Sequence, residues 1–259
     1  MLKTAPKKPK KKADQYNDPK HNYLEYWDGR DYEHAAEEMA IKRLLRGRHF
    51  KNAADIGGGY GRLCLLLQKY ADSVTLAEPS QQQLDIAKEF LKDNPKIKQK
   101  LTQADDLKFK DNELKLITMI RVMHHLPDPI KEFEEIARVL ADDGVFILEL
   151  ANNAHARNRI KYSFRGRRIP QQPVDIRSKA NKHDNEIAFV NHNPKTVVKQ
   201  LAHAGLRVDK VLSVSNLRSP VLKKVIPKGV MLKAEWLMQS AFSKIHFGPS
   251  VFFLVKKAK

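Results

Sequence analysis

The residues with the clearest chemical meaning form a glycine-rich turn, AADIGGGYG, at positions 53–61. The turn stands between an apolar segment typical of a strand and the start of a helix. Glycines let the backbone turn sharply and approach a ligand closely, and the helix start behind them offers unpaired N–H groups. A dinucleotide-binding G-x-G-x-x-G pattern would need a third glycine where Arg62 stands. The acid Asp55, two residues before the first glycine, suits a cationic amino-acid ligand better than a pyrophosphate.

Other polar residues follow later apolar segments in the same way. Glu78 ends an apolar segment in TLAEPS, the turn TQADDLKF covers 102–109, and the loop IRVMHHLP covers 120–127. The ends of parallel strands meet at one edge of a sheet, where such folds bind ligands. A carboxylate placed there can accept hydrogen bonds from two ligand hydroxyls, and a histidine can take up a proton near neutral pH.

Taken together, these elements resemble the class I S-adenosylmethionine-dependent methyltransferases, of the methyltransferase type 11 or ubiquinone-biosynthesis kind. The stretch 55–61 is similar to the first motif of that family, D-x-G-G-G-x-G. The stretch 102–109 is similar to the adenine-reading turn G-D-A-x-x-L-P-F, with Gln103 in place of the acid. The similar elements follow one another in the family's order over residues 53–150.

The resemblance implies that S-adenosylmethionine is the cofactor and that S-adenosylhomocysteine is the product. No metal is expected, because His183, His192 and His203 lack the paired spacing of metal ligands. The resemblance also implies that Asp55 lies by the amino group of the cofactor, that Glu78 holds the ribose hydroxyls, and that Gln103 or Asp105 contacts the adenine. The implied cofactor-binding residues of this core are Asp55, Gly57, Gly58, Gly59, Gly61, Glu78, Pro79, Gln103, Ala104, Asp105 and Arg121.

An aromatic segment at 16–32 precedes the core and resembles the helix that many of these enzymes fold over the cofactor. In that interpretation Arg30 binds the methionine carboxylate, and Tyr26 or Tyr32 contacts the cofactor as part of a lid. The alternative is that the aromatic residues only anchor the next helix, predicted at 31–46, to the core. The predicted buried side of this helix consists of Ala35, Met39, Leu44 and Leu45.

Candidate catalytic and substrate-binding residues follow the fourth and fifth predicted strands. A sulfonium methyl group is already activated, so the protein has to position the reactants and, for oxygen or nitrogen acceptors, remove a proton. His124 and His125 are candidate bases, although a packing role beside the cofactor is the favoured alternative. The candidate substrate-binding residues are Asn152, Arg165, Arg167, Arg168 and His192.

Strand-like and helix-like segments alternate from residue 52 onwards, which indicates βαβ units. The first two helices after residue 52 are predicted at 60–69 and 80–92, with Ser80 as the N-cap of the second. We therefore predict an α/β fold with a Rossmann-like, doubly wound, seven-stranded sheet that is mostly parallel, has an antiparallel C-terminal strand and carries helices on both faces. The predicted organisation is a disordered basic arm (1–15), a helical cap (16–50), a cofactor-binding core (51–152), and a basic substrate-side insert followed by the last two strands (153–259).

The charge of the chain is +18 and is unevenly distributed. Residues 1–12 carry +6, residues 13–154 carry −5 and residues 155–259 carry +17. The basic insert at 155–183 could meet a phosphate backbone, form an amphipathic lid, rest on an anionic membrane, or be a solvated face. A single cysteine, Cys64, excludes a disulfide framework, and no apolar run is long enough to span a membrane or to act as a secretory signal. We therefore expect a cytoplasmic protein.

The sequence thus predicts a methyltransferase whose acceptor is unidentified and could be anionic. The quinone-type loop favours a small-molecule acceptor, whereas the basic C-terminal part favours transfer to tRNA or rRNA. A non-catalytic binding module with this fold, or an NAD-dependent oxidoreductase, is a further alternative. Peripheral membrane contact stays open.

Overall fold

The computed structural model describes Tyr16, residues 29–183 and residues 187–258. The predicted basic arm and most of the aromatic segment, including Tyr26, lie outside the described residues.

A seven-stranded sheet forms the centre of the molecule, with strand order β3-β2-β1-β4-β5-β9-β8. Strand β9 is antiparallel to both of its neighbours, and the other pairs are parallel. This arrangement confirms the predicted fold class. The strands are β1 Ala53–Ile56, β2 Val74–Glu78, β3 Ile97–Leu101, β4 Leu114–Met119, β5 Leu140–Ala151, β8 Leu206–Val214 and β9 Ser250–Lys257, while β6 Val174–Asp175 and β7 Val190–Asn191 form a separate ribbon.

Helices cover both faces of the sheet because successive strand residues point to opposite sides. Ala53 and Leu76 lie in the apolar layer under α1, α2 and α3, and Ala54 and Ala77 lie in the layer under α4 and α7. The helices are α1 Asp31–Leu44, α2 Cys64–Leu67, α3 Gln81–Phe90, α4 Ile130–Val139, α5 Ala156–Ser163, α6 Lys179–His183, α7 Pro194–His203, α8 Pro220–Val225 and α9 Lys228–Ala241.

Side-chain caps fix where two of these helices begin. The Ser80 hydroxyl accepts a hydrogen bond from the Gln83 N–H at the start of α3, as the sequence predicted. Asn193 caps α7 in the same way, by accepting from the Lys195 N–H. The first of these caps directly follows Glu78, so it also sets the direction in which the chain leaves β2.

Two details differ from the sequence prediction. Helix α2 is shorter than the predicted 60–69, because the chain makes tight turns from Gly58 to Cys64 before the helix begins. Helix α1 buries Ala36, Ala40 and Ile41 instead of Ala35 and Met39. Its inward face also carries two glutamates. Because these residues are polar, the pattern of apolar residues alone predicts the wrong buried side.

The C-terminal part completes the sheet and adds a helical excursion. Strands β8 and β9 form the predicted antiparallel pair at the sheet edge, and α8 and α9 connect them. Helix α9 packs on α1 and β8. Within the described part of the chain, no helix has the length and apolar character needed to cross a bilayer.

Candidate active site

A cavity of about 380 Å³ opens at the carboxyl ends of β1, β2 and β4. This volume lies in the range of small-molecule and cofactor pockets. Its walls include nine of the predicted site residues, together with residues that the sequence did not single out. The lining consists of Tyr16, Ile56, Gly57, Gly59, Glu78, Pro79, Ser80, Thr102, Gln103, Ala104, Asp105, Arg121, Val122, His125, Leu126, Glu132 and Ile187.

The glycine loop holds the carboxylate of Glu78 in a fixed orientation. The Gly59 N–H donates to one Glu78 oxygen at 2.8 Å, and the Ser80 N–H donates to the other at 3.1 Å. Glu78 is buried, so these two backbone donors compensate part of the cost of burying its charge. A carboxylate offers about four acceptor positions in all, the acceptor chemistry that ligand hydroxyls require.

The glycines of the loop have two different structural roles. Gly57 has a φ of +66°, and a Cβ there would lie 2.5 Å from a methyl carbon of Val122, so only glycine lets the loop pass this side chain at the cavity wall. Gly61 has a φ of +86° and makes room for Leu91 at the end of α3. Gly61 is not part of the cavity wall, so its contact with Leu91 gives it a packing role, and its approach to the cofactor stays a prediction.

Asp55 lies beneath the glycine loop, fully buried. Its Oδ1 accepts a hydrogen bond from the Thr118 hydroxyl at 2.7 Å, and Oδ2 has no partner among the described residues. A Cβ at Gly58 would lie 2.5 Å from this Oδ2. Burial raises the pKa of Asp55 to about 6, although the Thr118 hydrogen bond and the charge of Arg62 oppose the shift.

The carboxylates of Asp55 and Glu78 lie on the same face of the sheet. Asp55 follows Ala53 by two residues and Glu78 follows Leu76 by two, and both apolar residues belong to the same layer. Asp55 borders a small void of about 30 Å³ that it shares with Gly57, Gly59 and Arg121. These three residues also line the main cavity, so the small void beside Asp55 adjoins the cavity wall.

Arg121 is held at the cavity by Glu37, a residue that the sequence analysis missed. The Nε of Arg121 donates to Glu37 Oε1 at 2.6 Å, and Arg62 pairs with Oε2 at 2.8 Å. Burial alone raises the pKa of Glu37, but the two guanidinium groups outweigh it and lower the pKa below its usual value. Arg121 has a φ of +64°, and its N–H donates to the buried Glu149 at 3.0 Å.

The two adjacent histidines have different environments. His125 lines the cavity, with Nε2 2.7 Å from the Tyr16 hydroxyl and Nδ1 2.9 Å from the Ala188 carbonyl oxygen. Since a carbonyl only accepts, Nδ1 carries a proton, and Nε2 of the neutral ring accepts from Tyr16. His124 is buried against Phe189, and burial lowers the pKa of His124 well below its usual value. Of the two histidines, His125 is the one that lines the cavity.

Three predicted site residues lie outside the cavity wall, and their polar atoms bond to other parts of the fold. Tyr32 is buried between α1 and α9 and donates to Glu235 at 2.7 Å, so it makes no lid contact. Asn152 uses its amide to bind the carbonyls of His246 and Gly248. His192 is buried and bonded to the Met123 carbonyl at 2.8 Å. Asn152 and His192 therefore join segments of the chain and present no free polar group to a substrate.

The predicted arginines of the cap and the insert lie outside the cavity wall. Arg30 precedes α1 and is partly exposed, and its binding to the cofactor stays a prediction. Arg165, Arg167 and Arg168 are exposed in the turn after α5, where no acidic residue within the described ranges pairs with them.

Comparison with known proteins shows which proteins this chain is similar to. Residues 54–148 match the model of a family described as "Methyltransferase domain". The uncharacterized methyltransferase YcgJ of Bacillus subtilis (strain 168) is 30% identical over 96 residues, which are 36% of this chain and 38% of that protein. The match thus spans less than two fifths of the relative.

Solved structures resemble nearly the whole chain. One is a Thermotoga maritima protein titled "SAM-dependent methyltransferase, possible histamine N-methyltransferase", with a TM-score of 0.62 and 18% identity over 92% of this chain and 95% of that one. Another is an S-adenosylmethionine-dependent methyltransferase from Mesorhizobium loti, with a TM-score of 0.59 and 14% identity over 87% of this chain and 100% of that one. At these identities the structures show that the fold is shared.

Residues 54–148 thus match a methyltransferase domain, and the chain shares its fold with S-adenosylmethionine-dependent methyltransferases. Both findings support the methyltransferase family predicted from the sequence.

Proposed function

We propose that this protein transfers the methyl group of S-adenosylmethionine to a small-molecule acceptor. The observation that carries the proposal is the geometry around Glu78. Two backbone N–H groups orient its buried carboxylate at the cavity wall, and the turn of Gln103 to Asp105 lines the same cavity. A carboxylate fixed in this way suits the two hydroxyls of a ribose, with the adenine against the turn.

The residues around the cavity fit the rest of the cofactor. Asp55 has a buried carboxylate oxygen without a partner beneath the glycine loop, and an ammonium group would compensate it. Gly57 and Gly59, both with positive φ, keep side-chain atoms away from the cavity wall between Asp55 and Glu78. We assign the amino-acid end of the cofactor to Asp55, Arg121 and the glycine loop, and the nucleoside end to Glu78, Pro79 and residues 103–105.

The bound cofactor would supply an electrophilic methyl group, so the protein needs to align the acceptor and remove its proton. We assign the role of base to Nε2 of His125. The Tyr16 hydroxyl donates a hydrogen bond to this nitrogen. As the proton of the acceptor moves to the Tyr16 oxygen, the hydroxyl proton of Tyr16 can move to Nε2. The Ala188 carbonyl holds the ring in the tautomer that leaves Nε2 able to accept.

The position of Tyr16 and Ala188 favours a small acceptor over a nucleic-acid strand. Both residues bond to His125 at the cavity wall, and Ile187 also lines the cavity. A polynucleotide would have to displace these segments to bring a base to His125. The exposed arginines at 165, 167 and 168 support RNA as the second candidate acceptor.

Cofactor binding is tested by calorimetry with S-adenosylhomocysteine. Glu78→Gln should weaken binding about a hundredfold or more, since two charge-assisted hydrogen bonds to the ribose would be lost at about 1.5 to 3 kcal/mol each. Glu89→Gln is the matched control, because Glu89 is an exposed glutamate on α3 that pairs with Lys92. Binding of NAD in place of S-adenosylhomocysteine would overturn the proposal.

The acceptor is tested by transfer of tritiated methyl groups into fractionated cell extract. Label should enter low-molecular-weight or lipid fractions, and His125→Gln should slow the transfer while the affinity for S-adenosylhomocysteine stays nearly unchanged. Label in RNA would contradict a small-molecule acceptor. An unchanged rate in His125→Gln would remove the assigned base.

A further inference from the structure

Helix α9, in the helical excursion between β8 and β9, buries two polar side chains beside the apolar Met231 and leaves other apolar side chains exposed. The side of α9 that faces the protein carries Glu235 and Gln239, both fully buried. The outward side carries Val230 and Leu237, which are 56% and 63% exposed. Amphipathic helices on a protein surface normally bury the apolar side and expose the polar one.

The inward polar residues form hydrogen bonds with neighbouring elements of the fold. Glu235 accepts hydrogen bonds from the Tyr32 hydroxyl at 2.7 Å and from the Ser215 N–H at 2.8 Å. Gln239 donates to the carbonyl of Ala36 at 2.9 Å. This network attaches α9 to α1 and to the end of β8, so the outward apolar residues are not needed to hold the helix in place.

Helix α8 carries a second pair of exposed apolar residues. Val221 and Val225 stand one helical turn apart and are 69% and 75% exposed. On α9, the seven-residue spacing of Val230 and Leu237 also places them on one side of the helix. We call these four residues the outer face.

Lysines surround the outer face, and no acidic residue compensates them. Lys224, Lys228, Lys233 and Lys244 are exposed and form no ion pair with any described residue. Between residues 216 and 247 the sequence contains a single acid, the buried Glu235. Apolar side chains bordered by cations are the pattern of segments that lie in the interface of an anionic bilayer.

We infer that the outer face docks the protein onto an anionic membrane surface. The valines and Leu237 enter the headgroup region, while the lysines stay at the level of the lipid phosphates. A symmetric dimer through the same face fits less well, because its twofold axis would bring uncompensated lysines of the two copies together. This inference goes beyond the proposed methyl transfer and can be tested without it.

The position of the outer face relates membrane docking to the cavity. Lys223 of α8 pairs with Glu33 at the start of α1 at 2.6 Å. Strand β8 runs parallel to β1, so the chain enters α8 from the same edge of the sheet at which the cavity opens. Docking through α8 would hold this edge close to the bilayer, where an acceptor dissolved in the membrane is accessible.

The test is sedimentation of the full chain with vesicles of phosphatidylglycerol and phosphatidylcholine in equal parts, compared with phosphatidylcholine alone. We expect binding to the anionic vesicles only, weakened by added salt. Lys233→Gln should weaken binding about fivefold, the effect of one lysine near an anionic surface, and Leu237→Ser about tenfold, from lost apolar burial.

Matched controls come from strand β3, the outermost strand on the side of the sheet away from β8. Lys98 is exposed and Leu101 is 53% exposed there, so Lys98→Gln and Leu101→Ser remove the same chemistry from a different surface and should leave vesicle binding unchanged. Equal weakening by the control variants would overturn the inference. So would the absence of binding to anionic vesicles near physiological salt, whether the chain then binds tRNA or forms a dimer that Leu237→Ser dissociates.

Discussion

Asp55 shows how a binding residue can oppose the stability of the free protein. Its carboxyl is buried with one hydrogen-bond donor, Thr118, and one oxygen without a partner. Burial raises its pKa to about 6, so the charged form that a cationic ligand needs is the form that folding disfavours. A ligand ammonium beside the glycine loop would restore the missing interaction. The residue therefore fits the general trade-off between stability and function at binding sites.

We predict that Asp55→Asn stabilises the free protein and weakens cofactor binding. The amide keeps an acceptor for Thr118 and removes the buried charge. The gain at pH 7 should be roughly 1 to 3 kcal/mol, given about 1.4 kcal/mol for each unit of a pKa shift from about 3.9 in the unfolded chain. Urea unfolding measures the gain, and calorimetry with S-adenosylhomocysteine should show the loss of affinity.

The pH dependence of the free energy of unfolding provides a control for this prediction. Between about pH 4 and pH 6 the folded wild-type protein binds more protons at Asp55 than the unfolded chain does, so this residue makes stability fall as the pH rises through that window. The advantage of Asp55→Asn should therefore shrink as the pH is lowered from 7 towards 4. A constant advantage across this range would mean that Asp55 does not titrate as inferred.

At the scale of elements, helix α1 connects the cap region to the cofactor cavity. Its buried Glu37 holds Arg62, which follows the glycine loop, and Arg121, which follows β4. Removing one partner of such a buried group is expensive because the remaining charges lose their compensation. A single glutamate on α1 thus fixes two loops at the carboxyl ends of β1 and β4.

We predict that Glu37→Gln lowers the free energy of unfolding by about 3 kcal/mol or more, and that it weakens cofactor binding because Arg121 lines the cavity. Glu38→Gln is the control on the same helix: Glu38 is partly exposed and pairs with Lys42, so its loss should cost less than about 1 kcal/mol. Urea unfolding of both variants measures the difference. Equal costs would show that the Glu37 network contributes no more than a surface ion pair.

At the scale of the whole molecule, the sequence predicted the structural features that depend on local patterns of residues. The alternation of apolar segments predicted the sheet with helices on both faces, and Ser80 was identified as the cap of α3. The phase of α1 was wrong because Glu37 faces inward to meet Arg62 and Arg121, partners that are distant in sequence. A pattern of apolar residues along one helix contains no information about such partners.

The residues of the candidate site also divide into those that local motifs predict and those that depend on contacts distant in sequence. The loop residues that line the cavity, such as Gly57, Glu78 and Gln103, stand at strand ends and were predicted from motifs. Asn152 and His192 also stand at strand ends, but each meets a chain segment that occupies its polar atoms. Tyr16 was missed because its contact with His125 joins residues 109 positions apart.

Ligand-dependent stability tests the molecule as a unit. A ligand that binds only the folded state, at a hundred times its Kd, adds about 2.7 kcal/mol of stability. In a chain of this size that should raise Tm by roughly 5 to 10 °C, at about 2 to 4 °C for each kcal/mol. We therefore predict that S-adenosylhomocysteine raises Tm in scanning calorimetry, that Glu78→Gln removes the shift, and that Lys98→Gln on the distant edge strand keeps it. Because Arg62 stands where a dinucleotide-binding loop needs glycine, NAD should leave Tm unchanged. A rise in Tm with NAD, or none with S-adenosylhomocysteine, would contradict the assignment of the cavity.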